Sequence, residues 1–250
     1  MTTPKDTIWS IEPHTLAKHE ILRRYLAAWY PIICRYNPHV IYIDGFCGPG
    51  RYTGGEPGSP IIALDEAQKH GERLRGNRLT FLFVDERTDR IDHLKGEIAH
   101  IVLPENFTVI SKAGEFEIEF QELLSKHKEK GEHLAPTFAF IDPFGFKGLP
   151  LKLICDLLSN PKTEVFINFM ADSINRFLEH PDQQIKKHIN DVFGTEEALD
   201  IAQTNDHRIE ALRLLYQKQL QQCANFVRYF EMRNENDRPI YYLFLRQITP

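Results

Sequence analysis

Apolar positions recur at intervals of three and four between 14 and 35, through Leu16, Ile21, Leu22, Tyr25, Leu26 and Trp29. This spacing predicts an amphipathic helix that ends near Pro31. The pattern then changes. VIYID is a short β-branched and aromatic run that stops at Asp44 and dissolves into glycine and proline, which reads as a strand followed by a loop. Helical spacing returns over 60–74, with Ser59 placed to cap a helix starting at Pro60. A second apolar run, RLTFLFVDER, ends as a strand on Asp85. The alternation continues with a helix over 88–100, a strand over 107–110 and a helix over 115–129. After these come a strand over 137–143, a helix around 150–159 and a strand over 164–170. Strands of nearly continuous apolar character that alternate with helices imply a parallel sheet covered on both faces. From 172 to about 224 the pattern is helical and polar. NFVRYFE and IYYLFLR, separated by the turn-rich RNENDRP, then read as an antiparallel pair. The expected fold is α/β, a Rossmann-like doubly wound sheet, mainly parallel with an antiparallel C-terminal strand. Residues 1–38 form an N-terminal helical segment. Residues 39–250 form the Rossmann-like domain, with a helical insertion at about 172–224.

With 250 residues, 42% hydrophobic and 26% charged, the chain has the composition of a folded globular protein. Its net charge of −5 removes any global attraction to phosphate, so contact with nucleic acid would need a local basic patch. Candidates are Arg23, Arg24, Arg35 and Arg51, with Lys186 and Lys187, beside Tyr25, Tyr36 and Tyr52. Such residues more often form a solvated face, which is the alternative. The four cysteines are scattered without a CxxC pair, and the N-terminus lacks a signal-peptide core, so a reducing cytoplasm fits best. No apolar run approaches the ~18 residues of a membrane span.

In an open parallel sheet, ligands bind beyond the carboxyl ends of the strands. Here the first strand runs into Asp44, Gly45, Phe46, Cys47, Gly48, Pro49 and Gly50. The second ends in Asp85 and Glu86, and the fourth in Asp142, Pro143, Phe144 and Gly145. Glycines at 48 and 50 suit close approach of a ligand to backbone, and Asp44 could accept from a cationic amine. A tight turn with an aspartate cap is the plainer alternative. Asp85 stands where nucleotide-binding α/β domains keep the acid that holds a ribose diol. It lies farther along than the usual ~20 residues, with RYTGGEPGSP as the intervening insertion. A solvated cap is again the alternative. The GxxxxGK phosphate loop and the GxGxxG fingerprint are both missing, and no His or Cys grouping has zinc spacing. His14 and His19, five apart, are poorly spaced for a metal.

Asp-x-Phe-x-Gly-x-Gly after one strand, an acid after the next and Asp-Pro-aromatic after the fourth together resemble class I S-adenosylmethionine-dependent methyltransferases. The resemblance implies that Asp44, Gly45, Phe46, Gly48 and Gly50, with Asp85, Glu86 and Glu115, hold the cofactor. It also implies that Asp142, Pro143 and Phe144 face the methyl acceptor. More narrowly, TIW, HTLAKHEIL, YLAAW, YIDGFCGPGRYTGGEPGSPIIAL, FVDER and FIDPFGFKGLP are similar to the three-Cys-motif partner (TcmP) family. That similarity implies a radical-SAM-like three-Cys-motif protein as partner. His14, Lys18 and His19 with DGFCGPGRY resemble a family of ribosomal RNA adenine methyltransferases, whose corresponding lysine and histidine lie near the active site. DPFG is like the fourth-strand motif of tRNA guanine-N2 methyltransferases. Both act on exocyclic base amines. Asp142 could accept from such an –NH₂ while Phe144 or Phe146 stacks on the base. Lys18 falls in the catalytic set, and His14, His19, Tyr52 and Phe146 in the substrate-binding set. Core packing for the two phenylalanines and a solvated helix edge for Lys18 and His19 are the alternatives. Phe144 and Gly145 depart from the Asp-Pro-Pro-aromatic adenine pattern.

The expected function is methyl transfer from S-adenosylmethionine to a nucleic-acid base amine. Set against it is a non-catalytic methyltransferase-like partner subunit in a modification or defence system. A nicotinamide oxidoreductase is disfavoured by the glycine spacing. The stop at Pro250, soon after the last strand, suggests a shortened chain relative to proteins that continue into another helix.

Overall fold

The computed structural model describes residues 4–146, 148–204, 207–233, 237 and 239–246. The chain divides into two compact units. One comprises Pro4–Glu119 and Leu134–Phe140; the other comprises Phe120–His133 and the described residues from Ile141 onward.

The first unit opens with α1 (Pro13–Cys34), which runs through Pro31 instead of stopping there. A proline inside a helix costs about 3 kcal/mol. Around it Leu26, Trp29, Tyr30 and Cys34 are all buried, and large apolar side chains contribute about 1.5–3 kcal/mol each when removed from water. Packing outweighs the missing N–H. Strand β1 (His39–Asp44) follows, buried at every position but the first. Helix α2 (Ser59–Lys69) starts one residue earlier than the sequence suggests. Gly58 is its cap, and no side chain supplies a capping hydrogen bond. The reason lies in the backbone: the Gly58 N–H is bound to the Gly50 carbonyl at 2.7 Å while the Gly58 carbonyl takes the Ile62 N–H. After the short α3 (Gly71–Leu74) come β2 (Arg78–Asp85), α4 (Thr88–Ala99) and β3 (Phe107–Ala113). The first turn of α5 (Phe116–Glu129) and β4 (Thr137–Ile141) complete the unit. The strands lie in the order β3-β2-β1-β4, with parallel pairing throughout. Register sets Asp44 beside Phe83 on one side and Phe140 on the other. The order runs outward from β1 to β3 and then returns to the far side of β1, so the topological switch lies between β1 and β4.

The second unit contains α6 (Leu151–Leu158), β5 (Thr163–Phe169) and four helices over the stretch read as helical and polar. These are α7 (Ala171–Phe177), α8 (Gln183–Phe193), α9 (Glu197–Thr204) and α10 (Arg208–Leu220). Strands β6 (Val227–Arg233) and β7 (Pro239–Arg246) follow in the order β5-β7-β6, both pairings antiparallel. The expected turn between them falls largely outside the described residues, as does Pro250. The core of this unit is aromatic: the Phe169 and Tyr216 rings stack at 4.2 Å, with Phe193 and Phe244 edge-on to both. Cys155 and Cys223, which looked unrelated at a separation of 68 residues, are joined in a disulfide. Cys34 and Cys47 are buried thiols. The protein is therefore mixed α/β, parallel in its first four strands and antiparallel at its C-terminal end. No described helix is long and apolar enough to cross a membrane.

Candidate functional site

The loop after β1 is held to both neighbouring strands. Gly45 donates its N–H to the Phe140 carbonyl at 3.0 Å, and Cys47 donates to Val84 at 2.9 Å. Asp44, fully buried, accepts from the Phe46 N–H at 3.3 Å. Gly48 and Gly50 adopt φ of +62° and +87°, conformations that disfavour side-chain-bearing residues. The space beside each glycine is used by the protein itself. A Cβ on Gly45 would lie 2.4 Å from the Phe116 ring, and one on Gly50 would lie 2.7 Å from Leu94 Cδ1. At Gly48 the neighbour is Trp9, at 3.6 Å. The insertion after the loop folds back through an Arg51–Pro57 bridge, and Arg51 is paired with Glu97 at 2.7 Å.

Asp85 closes this arrangement from β2. One carboxylate oxygen takes the Gly48 N–H and the other takes the Arg87 N–H, each at 3.0 Å, with the Arg90 guanidinium 3.8 Å away. Asp85 is thus a buried brace and not a solvated cap. Burial pushes its carboxyl above the ordinary range, against the opposing pull of the Arg87 amide, Arg90 and the Gly48 amide. Glu86 and Glu115 are exposed.

An N-terminal strap over residues 4–10 is fastened to the same place. Arg87 donates to the Pro4 and Lys5 carbonyls, Arg90 donates to the Pro4 carbonyl at 2.8 Å, and Thr7 donates to Asp89. Arg90 also lies over the Trp9 ring at 4.7 Å, and the Trp9 carbonyl accepts the Thr53 N–H at 3.0 Å. Tyr52 packs edge-on to Trp9 at 5.6 Å and tilted to His19 at 5.9 Å. Lys18 and His19 are both buried, which overturns the solvated-edge alternative. His14 Nε2 is 3.0 Å from Glu12. Trp9, Tyr52 and His19 therefore form one aromatic chain at the glycine loop, with Lys18 next to His19 in sequence.

In the second unit, Asp142 accepts a 2.6 Å hydrogen bond from Asn168 Nδ2. Pro143 is buried, Phe144 is 37% exposed, and Phe146 is half-buried against the Phe177 ring at 5.8 Å. Core packing thus does not describe Phe144. Gly145 takes φ +101° and points its N–H at Met170 Sδ, which accounts for a glycine where the adenine pattern has an aromatic residue. The sequence reading passed over Trp9, Phe116 and Asn168. Asn168 carried a signal, as a polar residue inside an apolar strand; the contacts of Trp9 and Phe116 arise only on folding.

No family model matches the chain, and no curated protein matches it. Solved structures do resemble it. An O-methyltransferase from Bacillus cereus in complex with SAH is 12% identical, with 96% of this chain and 83% of that one covered and a TM-score of 0.44. Human methyltransferase-like protein 13 in complex with SAH is 9% identical over 93% and 82% of the two chains, with a TM-score of 0.48. Spermidine synthase from Thermotoga maritima is 11% identical over 99% of this chain and 62% of its own, with a TM-score of 0.46. The likeness is one of fold.

Chemically, the first unit offers a loop with two left-handed glycines and two buried carboxylates at adjacent strand ends. The second offers a hydrogen-bonded carboxylate beside an exposed phenylalanine. Among the described residues no group of three or more His, Cys, Asp or Glu is arranged to hold a metal ion. Several of the basic residues considered for phosphate contact are already engaged: Arg23 with Glu66, Arg24 with Glu20, Arg51 with Glu97 and Lys187 with Asp191.

Proposed function

We propose that the chain is an S-adenosylmethionine-dependent methyltransferase acting on an exocyclic amine of a nucleic-acid base. The observation that carries this reading is the Asp85-braced glycine loop at the switch between β1 and β4, where α/β sheets bind nucleotides. The residues fit such a cofactor. Buried Asp44 suits an ammonium group, and Asp85, desolvated by burial, gains from hydroxyl donors such as a ribose diol. Bound there, the cofactor would supply a methyl group on a sulfonium leaving group. The protein's own work would be to bind and orient. Asp44, Gly45, Phe46, Gly48, Gly50 and Asp85 would hold the cofactor, with Glu86 and Glu115 at its rim. Asp142 would accept an N–H of the amine while Phe144 stacks on the base. The protein's part in the exchange would be to take the one proton lost by the amine onto Asp142 or pass it to solvent, the sulfonium leaving as a neutral thioether. Little acid–base help is needed, since alignment supplies most of the acceleration.

The test is transfer of a labelled methyl group from S-adenosylmethionine into RNA, DNA and protein fractions, with calorimetry against S-adenosylhomocysteine. Label is expected in a nucleic-acid fraction and is expected to fall at least about 100-fold with Asp142→Ala. Absence of binding heat together with absence of label would refute the reading. A second reading, a non-catalytic TcmP-type partner of a radical-SAM-like protein, is favoured by one observation: Phe116 and Trp9 occupy the space beside Gly45 and Gly48. A stable complex with such a partner in the absence of methyl transfer would support it.

A further inference from the structure

We infer that Asn168 is a positioning residue for Asp142, an inference that rests on the methyl-transfer reading above. Asn168 is 4% exposed and sits between Ile167 and Phe169 on β5, opposite Leu243 of β7. An amide at such a place is costly, since a buried polar atom left unpaired costs about 1–3 kcal/mol. Its Oδ1 has no hydrogen-bond partner among the described residues. An aliphatic side chain would suit the strand better, so stability does not explain the residue. What the amide does is donate to Asp142 Oδ1 at 2.6 Å, the short distance of a hydrogen bond to a charged acceptor.

Fixing Oδ1 from a rigid strand fixes the direction of Oδ2. It does so in a turn whose other residues are also tied to the end of β5 and to α7. The Gly145 N–H is on Met170 Sδ at 3.2 Å, and the Phe146 ring is on Phe177. A carboxylate aimed in this way selects an acceptor that carries an N–H and orients its lone pair. Asparagine suits the task because it donates without adding charge, whereas aspartate at 168 would face Asp142 as a second carboxylate.

The test compares wild type, Asn168→Ala and Asn168→Asp for melting temperature, S-adenosylhomocysteine affinity and methyl transfer across pH. Asn168→Ala is expected to keep its affinity within about twofold and to lose about 100-fold in kcat, more than any change in KM, as misplacement of a reacting group does. Asn168→Asp, close in shape, is expected to add a pH-dependent step to the wild-type profile. The paired carboxylates share a proton, and activity falls as pH rises through its loss, roughly between 5 and 8. A merely structural role would not create that step. If Asn168→Ala does not fold, the pH profile of Asn168→Asp decides. Wild-type rates in Asn168→Ala, or a wild-type profile in Asn168→Asp, overturn the inference. A wild type that transfers no label instead refutes the methyl-transfer reading itself, and the inference falls with it.

Discussion

Gly50 illustrates how a single residue is specified twice, by backbone conformation at φ +87° and by Leu94 Cδ1 at 2.7 Å from any Cβ. Gly50→Ala is expected to cost about 2–3 kcal/mol, read as a lower denaturation midpoint. Gly76→Ala has open space around it and should stay within about 0.5 kcal/mol of wild type. Equal midpoints for the two would remove the argument. At this scale the sequence identified Asp44, Asp85 and Asp142 because strand ends are legible from where apolar runs stop. It did not reveal what each carboxylate touches. Asp85 bracing Gly48, and Asp142 held by Asn168, join positions far apart in the chain, and no local pattern encodes such pairs.

Elements were legible wherever burial made them continuous: β1, β2, β4 and β5 are apolar almost throughout and needed no partner to be recognised. Ends of elements were less so. Pro31 and Ser59 carry local rules for stopping and capping helices, and tertiary contacts overrode both. The strap over residues 4–10 had no periodic signature, because it is held by carbonyls, Thr7 and Trp9 rather than by an apolar face. Its anchor gives a prediction about pH. Hydrogen bonds from Arg87 and Thr7 hold the Asp89 carboxyl well below the ordinary range. A carboxyl depressed in the folded state contributes stability above its unfolded value of about 4, and loses that contribution as pH falls through the depressed value. Trp9 fluorescence in a Trp29→Phe background should therefore report a docked strap at pH 7 that loosens progressively below about pH 4, and Asp89→Asn should show the loosened signal already at pH 7. A signal independent of both would show that the strap is held elsewhere.

For the molecule as a whole, the disulfide within the second unit is the feature that composition concealed, since four separated cysteines carried no pairing signal. Closing a loop of 68 residues restricts the unfolded chain by about 4 kcal/mol in the chain-entropy treatment. Dithiothreitol should lower the melting temperature of wild type and leave that of Cys155→Ser unchanged. A wild type indifferent to reductant would contradict the bond. The first unit has a junction of a different kind at Arg90, which reaches the Pro4 carbonyl, the Trp9 ring and the Asp85 side at once. Any purification handle or leader fused ahead of Pro4 hangs from the guanidinium that lies beside Asp85. Dissociation constants taken on tagged material will report the tether as well as the ligand.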